Sequence, residues 1–214
     1  MASPPWHNHI EAFDSYDNLD DASLLIHASA YVDEPTEIGA GTQVMHFTHI
    51  RPHAVIGRHC IIGANVTIDS GVFIGNHVQV DNNVSLTGGA IVEDYVYFGP
   101  CALITPLKLM RGNAAHISSI QPSLVKQGAR IGANTTIAAG FTVGRFAFVE
   151  SGSVVDCHVP DFAVMQGNPI QLMGWRCECE AILPIKAIET VTECPRCGIP
   201  YVLADDCLLV KHVA

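Results

Sequence analysis

The chain is poor in charged residues, and most of the charges that it carries are negative. Only 15% of its 214 residues are charged, and 21 Asp and Glu outnumber 11 Lys and Arg, so the formal net charge is −10. A protein of this sign repels the phosphates of nucleic acids and the headgroups of anionic lipids. We therefore expect neither nucleic acid nor a membrane surface to be a partner.

Long apolar runs are also missing, although hydrophobic residues make up 49% of the chain. No run approaches the ~18 residues of a membrane-spanning helix. Residues 1–25 are acidic and polar, and they lack the basic segment and apolar core of a signal peptide. These absences predict a cytoplasmic protein.

What the sequence contains in abundance is a repeat of six residues. An aliphatic or aromatic residue recurs at every sixth position from Ile26 to Ile104, and the same spacing resumes from Val125 to Val155. The next position is often Gly, Asp, Glu or Ala, and the fifth is nearly always Ala, Ser, Thr or Val. A period of six matches neither an α-helix nor the alternation of a flat sheet.

One short strand and one corner per six residues would explain this repeat. Three such units make a triangular coil of 18 residues, in which the recurring apolar residue points inward and the small fifth residue fits a cramped corner. Neighbouring coils satisfy each other's backbone groups. The repeat therefore predicts an all-β parallel β-helix over residues 26–160. A β-sandwich with fortuitous spacing is the alternative, and the unbroken recurrence argues against it.

Other segments divide the chain further. Residues 105–122 break the repeat, and an insertion of this length in a solenoid predicts a functional loop that projects from one face. Residues 1–25 are a lead-in, residues 161–176 are expected to be a connector, and residues 177–214 form a separate small module.

The C-terminal module contains two close pairs of cysteines. Cys177 and Cys179 are separated by one residue, and Cys194 and Cys197 by two, with Gly198 directly after them. Four thiolates can complete a tetrahedral zinc site, which is then closed and structural. We predict a zinc-ribbon-like module, and the alternatives are a site that has lost its metal and a redox pair.

The repeat region resembles the hexapeptide-repeat acyltransferases. It is similar, above all, to the bacterial nucleotide-sugar N-acetyltransferases in the segments "VMHFTHI", "VQVDNNVSL", "VEDYVYFGPCALIT" and "VPDFAVMQGNPIQLMGW". The nearest of these are the UDP-2-acetamido-3-amino-glucuronate N-acetyltransferases. The resemblance implies a left-handed β-helix, a homotrimer, and acetyl transfer from acetyl-CoA to the amino group of a nucleotide-linked amino sugar.

In that family an asparagine of the "NNVS" stretch lies beside the reacting amine and thioester, which here means Asn82 or Asn83. An amide oxygen can orient an amine by hydrogen bonding, although it cannot act as a base. Asn83 falls at the corner position of its repeat, where Asn also eases a left-handed turn. Asn82, one position earlier, has no such structural reason. We therefore expect at least one of the two in the active site.

Histidines are the second group of candidates, because many hexapeptide acetyltransferases use a histidine base. His59 and His77 are 18 residues apart, so the β-helix predicts that they stack at one corner, and His116 lies in the inserted loop. All three are candidate bases. A γ-carbonic-anhydrase-like metalloenzyme is a minor alternative, because the closely paired histidine ligands of that class have no equivalent here.

The resemblance also places coenzyme A along the later coils at a subunit interface. Backbone groups and close approach would then be offered by six residues: Gly132, Ala133, Ala139, Gly140, Gly167 and Pro169. Arg145 is the candidate cation for the coenzyme phosphates, with Lys126 and Arg130 beside it.

The inserted loop departs from the family pattern. The family has an "FTN…NPR" segment that helps to hold the sugar nucleotide, whereas this chain reads "ITPLKLMRG", with Pro106 and Leu109 or Met110 in place of asparagines. This more apolar loop predicts an acceptor other than the usual uronic acid. It also leaves open a second hypothesis, a scaffold or ligand-binding protein with a lapsed active site.

Overall fold

A computed structural model describes residues 23–105, 122–185, 191–204 and 207–210. The secondary structure in these ranges is all β, and from Leu25 to Val155 it consists of strands of two residues each. Within the same ranges no helix is long and apolar enough to cross a membrane. The inserted loop lies outside the described residues except at its ends, Thr105 and Pro122.

The two-residue strands belong to three sheets in which they are parallel, and consecutive strands go to each sheet in turn. Sheet A contains β1 (Leu25–Ile26), β4 (Gln43–Val44), β7 (Ile61–Ile62), β10 (Gln79–Val80), β13 (Tyr97–Phe98), β16 (Arg130–Ile131), β19 (Phe148–Val149), β21 (Ala163–Gln166) and β22 (Gln171–Trp175). Sheet B contains β2 (Tyr31–Val32), β5 (His49–Ile50), β8 (Thr67–Ile68), β11 (Ser85–Leu86), β14 (Leu103–Ile104), β17 (Thr136–Ile137) and β20 (Val154–Val155). Sheet C contains β3 (Glu37–Ile38), β6 (Val55–Ile56), β9 (Phe73–Ile74), β12 (Ile91–Val92), β15 (Leu124–Val125) and β18 (Thr142–Val143).

The register of the sheets confirms the 18-residue coil. Gln79 is paired with Ile61 in the coil before it and with Tyr97 in the coil after it. Across the insertion the step lengthens, and Tyr97 is paired with Arg130. The inserted residues are therefore accommodated without a break in the stack of coils.

The recurring apolar residues form the core, as the repeat predicts. Their exposed fraction is at most 2% at Val44, Ile50, Ile56, Ile62, Ile68, Ile74, Val80, Leu86, Val92, Phe98, Ile104, Val125, Ile131, Ile137, Val143, Val149 and Val155. Ile26 differs, because 41% of it is exposed. It lies in the first coil, and in the described part of the chain no earlier coil covers it. An inward position therefore buries a residue only where coils stack on both sides of it.

Glycine after the inward residue is explained by the stacking of the coils. A Cβ added to Gly57 would lie 2.4 Å from the carbonyl oxygen of Gly75, its counterpart one coil later. Because the obstacle is backbone, it cannot move aside without shifting the coil. Glycine is thus required here by the close approach of two coils rather than by a turn.

The small fifth residues are buried, and where they are polar they are hydrogen bonded. The Thr48 hydroxyl donates to the Gly63 carbonyl at 2.7 Å and accepts the Val66 N–H at 3.2 Å. Over the described residues, every buried side-chain nitrogen or oxygen has a partner. The narrow interior therefore tolerates hydroxyl groups without the cost of an unpaired polar atom.

The C-terminal part continues from the β-helix. Residues 161–176, which we expected to be a connector, contain β21, parallel to β19, and β22, which returns antiparallel to β21. The module itself contains an antiparallel sheet of β23 (Val191–Glu193), β24 (Pro200–Ala204) and β25 (Cys207–Val210). Tyr201 is fully buried, and its ring centroid lies 5.4 Å from that of Phe162. The module thus packs on the last corner of the β-helix.

The inward position gives a test with a matched control. Ile68→Ala removes a side chain that is 0% exposed, and Ile26→Ala removes one that is 41% exposed. We expect the first to lower the free energy of unfolding by about 3 kcal/mol and the second by less than about 1 kcal/mol. Denaturant unfolding of both variants checks this. Equal losses would contradict the proposed core.

Candidate functional site

The candidate residues lie at corners of the coils, so the corners are named by the sheets they join. The A–B corner between β10 and β11 contains Asn82 and Asn83. Asn83 has a φ of 61°, in the left-handed region, and Asn65 and Asn134 at the same corner have φ of 57° and 55°. The expected corner role of Asn83 is therefore confirmed.

The side chain of Asn83 belongs to a ladder of amides along this corner. The Asn65 side-chain Nδ2 donates to Asn83 Oδ1 at 2.8 Å, and the Asn83 N–H donates to the Ala64 carbonyl at 3.0 Å. Asn83 is exposed, and its Nδ2 has no partner among the described residues. Its oxygen also retains a second lone pair. The amide is thus held in place and can still bind a ligand.

Asn82 has a structural role that the sequence did not reveal. Its Oδ1 accepts the backbone N–H of Ala64, one coil earlier, at 2.8 Å. The same bond recurs at the corner between sheets C and A, which precedes Asn82 in the chain. There Asn76 Oδ1 accepts the Arg58 N–H at 2.9 Å, and Asp94 accepts the Asn76 N–H at 2.7 Å. As expected, Asn82 is not in the left-handed conformation, but its hydrogen bond with the Ala64 N–H gives it a structural role of another kind. Its position is the one from which a side chain links two coils.

The ladder of coil-to-coil bonds changes above Asn82. The residue in the same position of the next coil is Pro100, whose side chain cannot accept a hydrogen bond. The Asn82 N–H donates instead to Asp81 Oδ1 at 2.7 Å, and Asp81 Oδ2 accepts the Tyr97 hydroxyl at 3.3 Å. Asp81 and Tyr97 thus fix the backbone at the asparagine pair.

The predicted stack of histidines is present, but at another corner. His77 lies between His59 and Tyr95, with ring centroids 5.1 Å and 4.9 Å apart and interplanar angles of 13° and 3°. This C–A corner is at the opposite end of β10 from Asn83. Within one chain, His77 and His59 are therefore not brought to the asparagines. His116 lies outside the described residues.

A histidine that the sequence analysis did not select has a carboxylate partner. His49 Nε2 lies 2.9 Å from Asp33 Oδ2 on the outer face of sheet B. In that sheet His49 is paired with Thr67, which is paired with Ser85, two residues after Asn83. Asp33 and His49 are 16 residues apart, which is two residues fewer than one coil. This spacing is the sequence signal that could have indicated the pair.

Two candidate coenzyme residues share the A–B corner with the asparagines. Gly132 and Ala133 lie two coils after Asn82 and Asn83. A Cβ on Gly132 would lie 2.5 Å from the Ser151 nitrogen, and the Ala133 N–H donates to Ser151 Oγ at 3.1 Å. Both residues are thus accounted for by the stacking of the next coil. Their backbone donors are not aimed at a ligand.

The other backbone candidates lie elsewhere. At the B–C corner the N–H groups of Ala139 and Gly140 donate to Thr105 Oγ1 and Ser123 Oγ, each at 3.0 Å. These hydroxyls flank the inserted loop, so the two donors hold its base and are occupied. Gly167, near Pro169 in the last turn, donates its N–H to a serine hydroxyl of the preceding coil at 3.0 Å.

The three candidate cations differ in their partners. Lys126 Nζ lies 3.4 Å from Asp161, and Arg130 Nε lies 3.2 Å from Glu180. Arg145 instead donates to the neutral amide of Gln127 at 3.4 Å. Of the three, Arg145 is the one without a direct ion pair in the described part of the chain, which makes it the best candidate for a phosphate.

The four module cysteines meet in one cluster. The sulfur atoms of Cys177, Cys179, Cys194 and Cys197 all lie within 4.8 Å of one another. Tyr201 donates its hydroxyl proton to Cys177 Sγ at 3.1 Å. This donor set and spacing fit a tetrahedral zinc ion.

Acidity differs within the cluster. Burial raises the pKa of the Cys177 and Cys179 thiols. Burial acts in the same direction on Cys194, but the N–H groups of Cys197 and Arg196 outweigh it and lower the pKa of that thiol to about 7. One member of the set is thus readily ionised, and a bound cation would favour ionisation of the others.

The cysteines of the β-helix are not part of a metal site. Cys60 is buried, and burial raises the pKa of its thiol to about 11, so it is inert. Cys101 and Cys157 are exposed single cysteines. In the described ranges, no second group of three or more His, Cys, Asp or Glu could hold a metal. A carbonic-anhydrase-like site thus gains no support within one chain.

The sequence of the coils matches two described repeat families. Bacterial transferase hexapeptide repeats (six repeats) match residues 35–70 and 71–106, and the hexapeptide repeat of succinyl-transferase matches residues 53–88 and 127–157. The matched stretches of the chain are thus similar to hexapeptide repeats. The sequence resemblance to hexapeptide proteins is confirmed.

A curated relative that matches part of this chain is a sugar-modifying enzyme. It is the dTDP-3-amino-3,6-dideoxy-alpha-D-galactopyranose 3-N-acetyltransferase of Aneurinibacillus thermoaerophilus, which is 43% identical over 83 residues. The match covers 39% of this chain and 42% of the relative. The matched stretch thus spans less than half of the length of that enzyme.

Two solved structures are similar to this chain, and the first of them shares its fold. A hexapeptide transferase family protein from Anaplasma phagocytophilum has a TM-score of 0.50 at 11% identity, over 72% of this chain and 81% of that one. The acetyltransferase domain of PglB from Neisseria gonorrhoeae, in complex with acetyl coenzyme A, has a TM-score of 0.48 at 22% identity, over 69% and 56%.

The role of Asn82 in joining two coils is testable through stability. Asn82→Ala leaves the Ala64 N–H without its acceptor, whereas Asn82→Asp retains an oxygen in the same place. We expect Asn82→Ala to lower the free energy of unfolding by about 1–2 kcal/mol and Asn82→Asp to be close to neutral. Denaturant unfolding measures both. An Asn82→Ala variant as stable as the parent would contradict the assigned bond.

Proposed function

We propose that this protein transfers the acetyl group of acetyl-CoA to the amino group of a nucleotide-linked amino sugar. The observation that carries the proposal is the 43% identity over 83 residues to an enzyme whose name specifies that reaction. The hexapeptide coils and an exposed pair of anchored amides at one corner support it.

The acceptor that we propose is a nucleotide-linked 3-amino-deoxysugar without a carboxylate. The named substrate of the relative is a dTDP-linked 3-amino-3,6-dideoxyhexose. The inserted loop of this chain lacks the asparagines of the uronic acid enzymes and is more apolar. An apolar surface suits a deoxysugar better than a charged one, because burying an unpaired carboxylate is costly.

We assign the orientation of the acceptor to the asparagine pair. The second lone pair of Asn83 Oδ1 would accept an N–H of the amine. Its Nδ2, or that of Asn82, would donate to the thioester oxygen as negative charge develops there. The amine nitrogen attacks the carbonyl carbon, the C–N bond forms, the C–S bond breaks, and the amine proton passes to the departing thiolate directly or through water.

A homotrimer is part of the proposal. The outer face of sheet C carries a row of apolar residues in register, Val55, Phe73, Ile91 and Leu124. Phe73 and Ile91 are 46% and 37% exposed, respectively. A contiguous apolar row of this kind is typical of a surface that packs against another chain. A second copy could also bring its C–A corner, with His77, to the asparagine pair.

We further propose that the Cys177, Cys179, Cys194 and Cys197 thiolates hold one structural zinc ion. All four ligand positions would be filled, so the metal would take no part in acetyl transfer. The approach of the four sulfur atoms to within 4.8 Å of one another supports a site that a divalent cation completes.

Turnover can be tested with a panel of acceptors. Nucleotide-linked 3-amino and 4-amino sugars and the corresponding free sugars are incubated with acetyl-CoA, and mass spectrometry detects the product. We expect a mass increase of one acetyl group on a nucleotide-linked 3-amino sugar. Tight coenzyme binding without turnover on any acceptor would favour the lapsed-site hypothesis. A protein that neither binds the coenzyme nor turns over any acceptor would contradict the proposed acetyltransferase activity.

The asparagine assignment can be tested separately. Asn83→Gly keeps the left-handed corner and removes the amide, and we expect kcat to fall about 100-fold with unchanged coenzyme binding. His53→Gly is the matched control, because His53 is also exposed with a positive φ of 65° but lies at the B–C corner. Equal activity of the two variants would refute the role of Asn83.

The zinc proposal has its own measurement. Elemental analysis of protein purified without chelator should give one zinc per chain in the parent and in Cys157→Ser, which removes an exposed cysteine of the β-helix. Cys194→Ser should lose the metal, because it removes a ligand of low pKa. Stoichiometric zinc in Cys194→Ser, or none in the parent, would show that the cluster is not the site.

A further inference from the structure

Each cysteine pair of the module is followed by a residue with a positive φ, which is Gly198 after one pair and Glu180 after the other. After the second pair, Gly198 has a φ of 76° and donates its N–H to the Cys194 carbonyl at 2.9 Å. After the first pair, Glu180 has a φ of 71° and donates its N–H to the Cys177 carbonyl at 2.9 Å. Glycine adopts this conformation without steric cost, and glutamate does not.

The glutamate side chain connects the module to the β-helix. Glu180 Oε1 lies 3.2 Å from Arg130 Nε and 3.2 Å from Arg176 Nη2. Arg130 belongs to β16 of sheet A, whereas Arg176 directly precedes the first ligand cysteine. One carboxylate oxygen thus joins the coils to the turn that carries Cys177 and Cys179.

Both arginines contact this carboxylate, and both are largely buried. Only 16% of the Arg130 side chain and 10% of the Arg176 side chain are exposed. Arg176 also lies over the Phe148 ring, at 4.5 Å from its centroid. Two poorly hydrated guanidinium groups beside each other are unfavourable unless an anion compensates them. Glu180 supplies that anion from the position where a glycine would suit the backbone.

We propose that Glu180 is a positioning residue for the metal site, which fixes the first cysteine pair on sheet A through Arg130 and Arg176. The inference rests on the zinc part of the proposed function. It explains why the strained position carries a glutamate: the contact with two arginines compensates the backbone cost. In this account the β-helix helps to hold the metal ligands in place, as residues around the ligands of a metal site commonly do.

The decisive variant is Glu180→Gly. It removes the steric cost of the positive φ at this position and also removes the carboxylate. We expect zinc affinity, measured by competition with a chromophoric chelator, to fall about tenfold. We also expect the melting temperature to fall by several degrees. His53→Gly, which relieves the same backbone conformation far from the module, should leave zinc affinity unchanged and not lower the melting temperature.

Two further variants separate the effect of the contact between Glu180 and the arginines from the effect of the backbone conformation. Glu180→Gln keeps an oxygen acceptor and should lose less zinc affinity than Glu180→Gly. In Arg176→Met, the further change Glu180→Gln should have a smaller effect than it has alone, because one partner is already gone.

The outcomes are distinguishable from those of the zinc proposal. A Glu180→Gly protein that binds zinc as tightly as the parent and melts at the same or a higher temperature would overturn the role of Glu180. If the parent binds no zinc, the metal proposal fails. The melting temperatures of Glu180→Gly and His53→Gly then decide whether Glu180 holds the module on sheet A.

Discussion

The structure depends on hydrogen bonds that no coil can make by itself. With strands of only two residues, a strand N–H finds its carbonyl in another coil, as Gln79 does with Val96. The stacking therefore imposes one register on the whole β-helix. Residues 18 positions apart lie above each other, which brings the His59 and His77 rings together and lets the Asn65 amide reach the Asn83 amide.

Much of this architecture follows from the sequence, because period and inward position are visible in it. The spacing predicted the buried residues from Val44 onward and the stack of His59 on His77. It did not predict that Ile26 is exposed, since burial also requires a neighbouring coil. It did not reveal the hydrogen bond of Asn82 to the backbone of Ala64, because the repeat does not show which side chains reach the preceding coil. The strands in residues 161–176 depend on pairing with β19, which no local pattern reveals.

At the candidate site, the amides that link two coils are also the groups proposed to contact the substrate. The amides of Asn82 and Asn83 each accept one hydrogen bond from the preceding coil, and this holds them where a ligand could meet them. A preorganised amide loses little entropy when it binds a substrate or a transition state. In the module, Glu180 likewise combines two roles, because it lies in a turn beside a predicted metal ligand and its carboxylate contacts two arginines.

The most direct test of the account is a crystal structure of the protein with coenzyme A and the amino sugar that it acetylates. We expect the sugar nitrogen within hydrogen-bonding distance of Asn83 or Asn82, and the coenzyme thiol beside it at the same A–B corner. Arg145 of one chain should lie near a coenzyme phosphate. A sugar nitrogen bound at the corner of His59 and His77, with no asparagine of any chain in contact, would contradict the assignment.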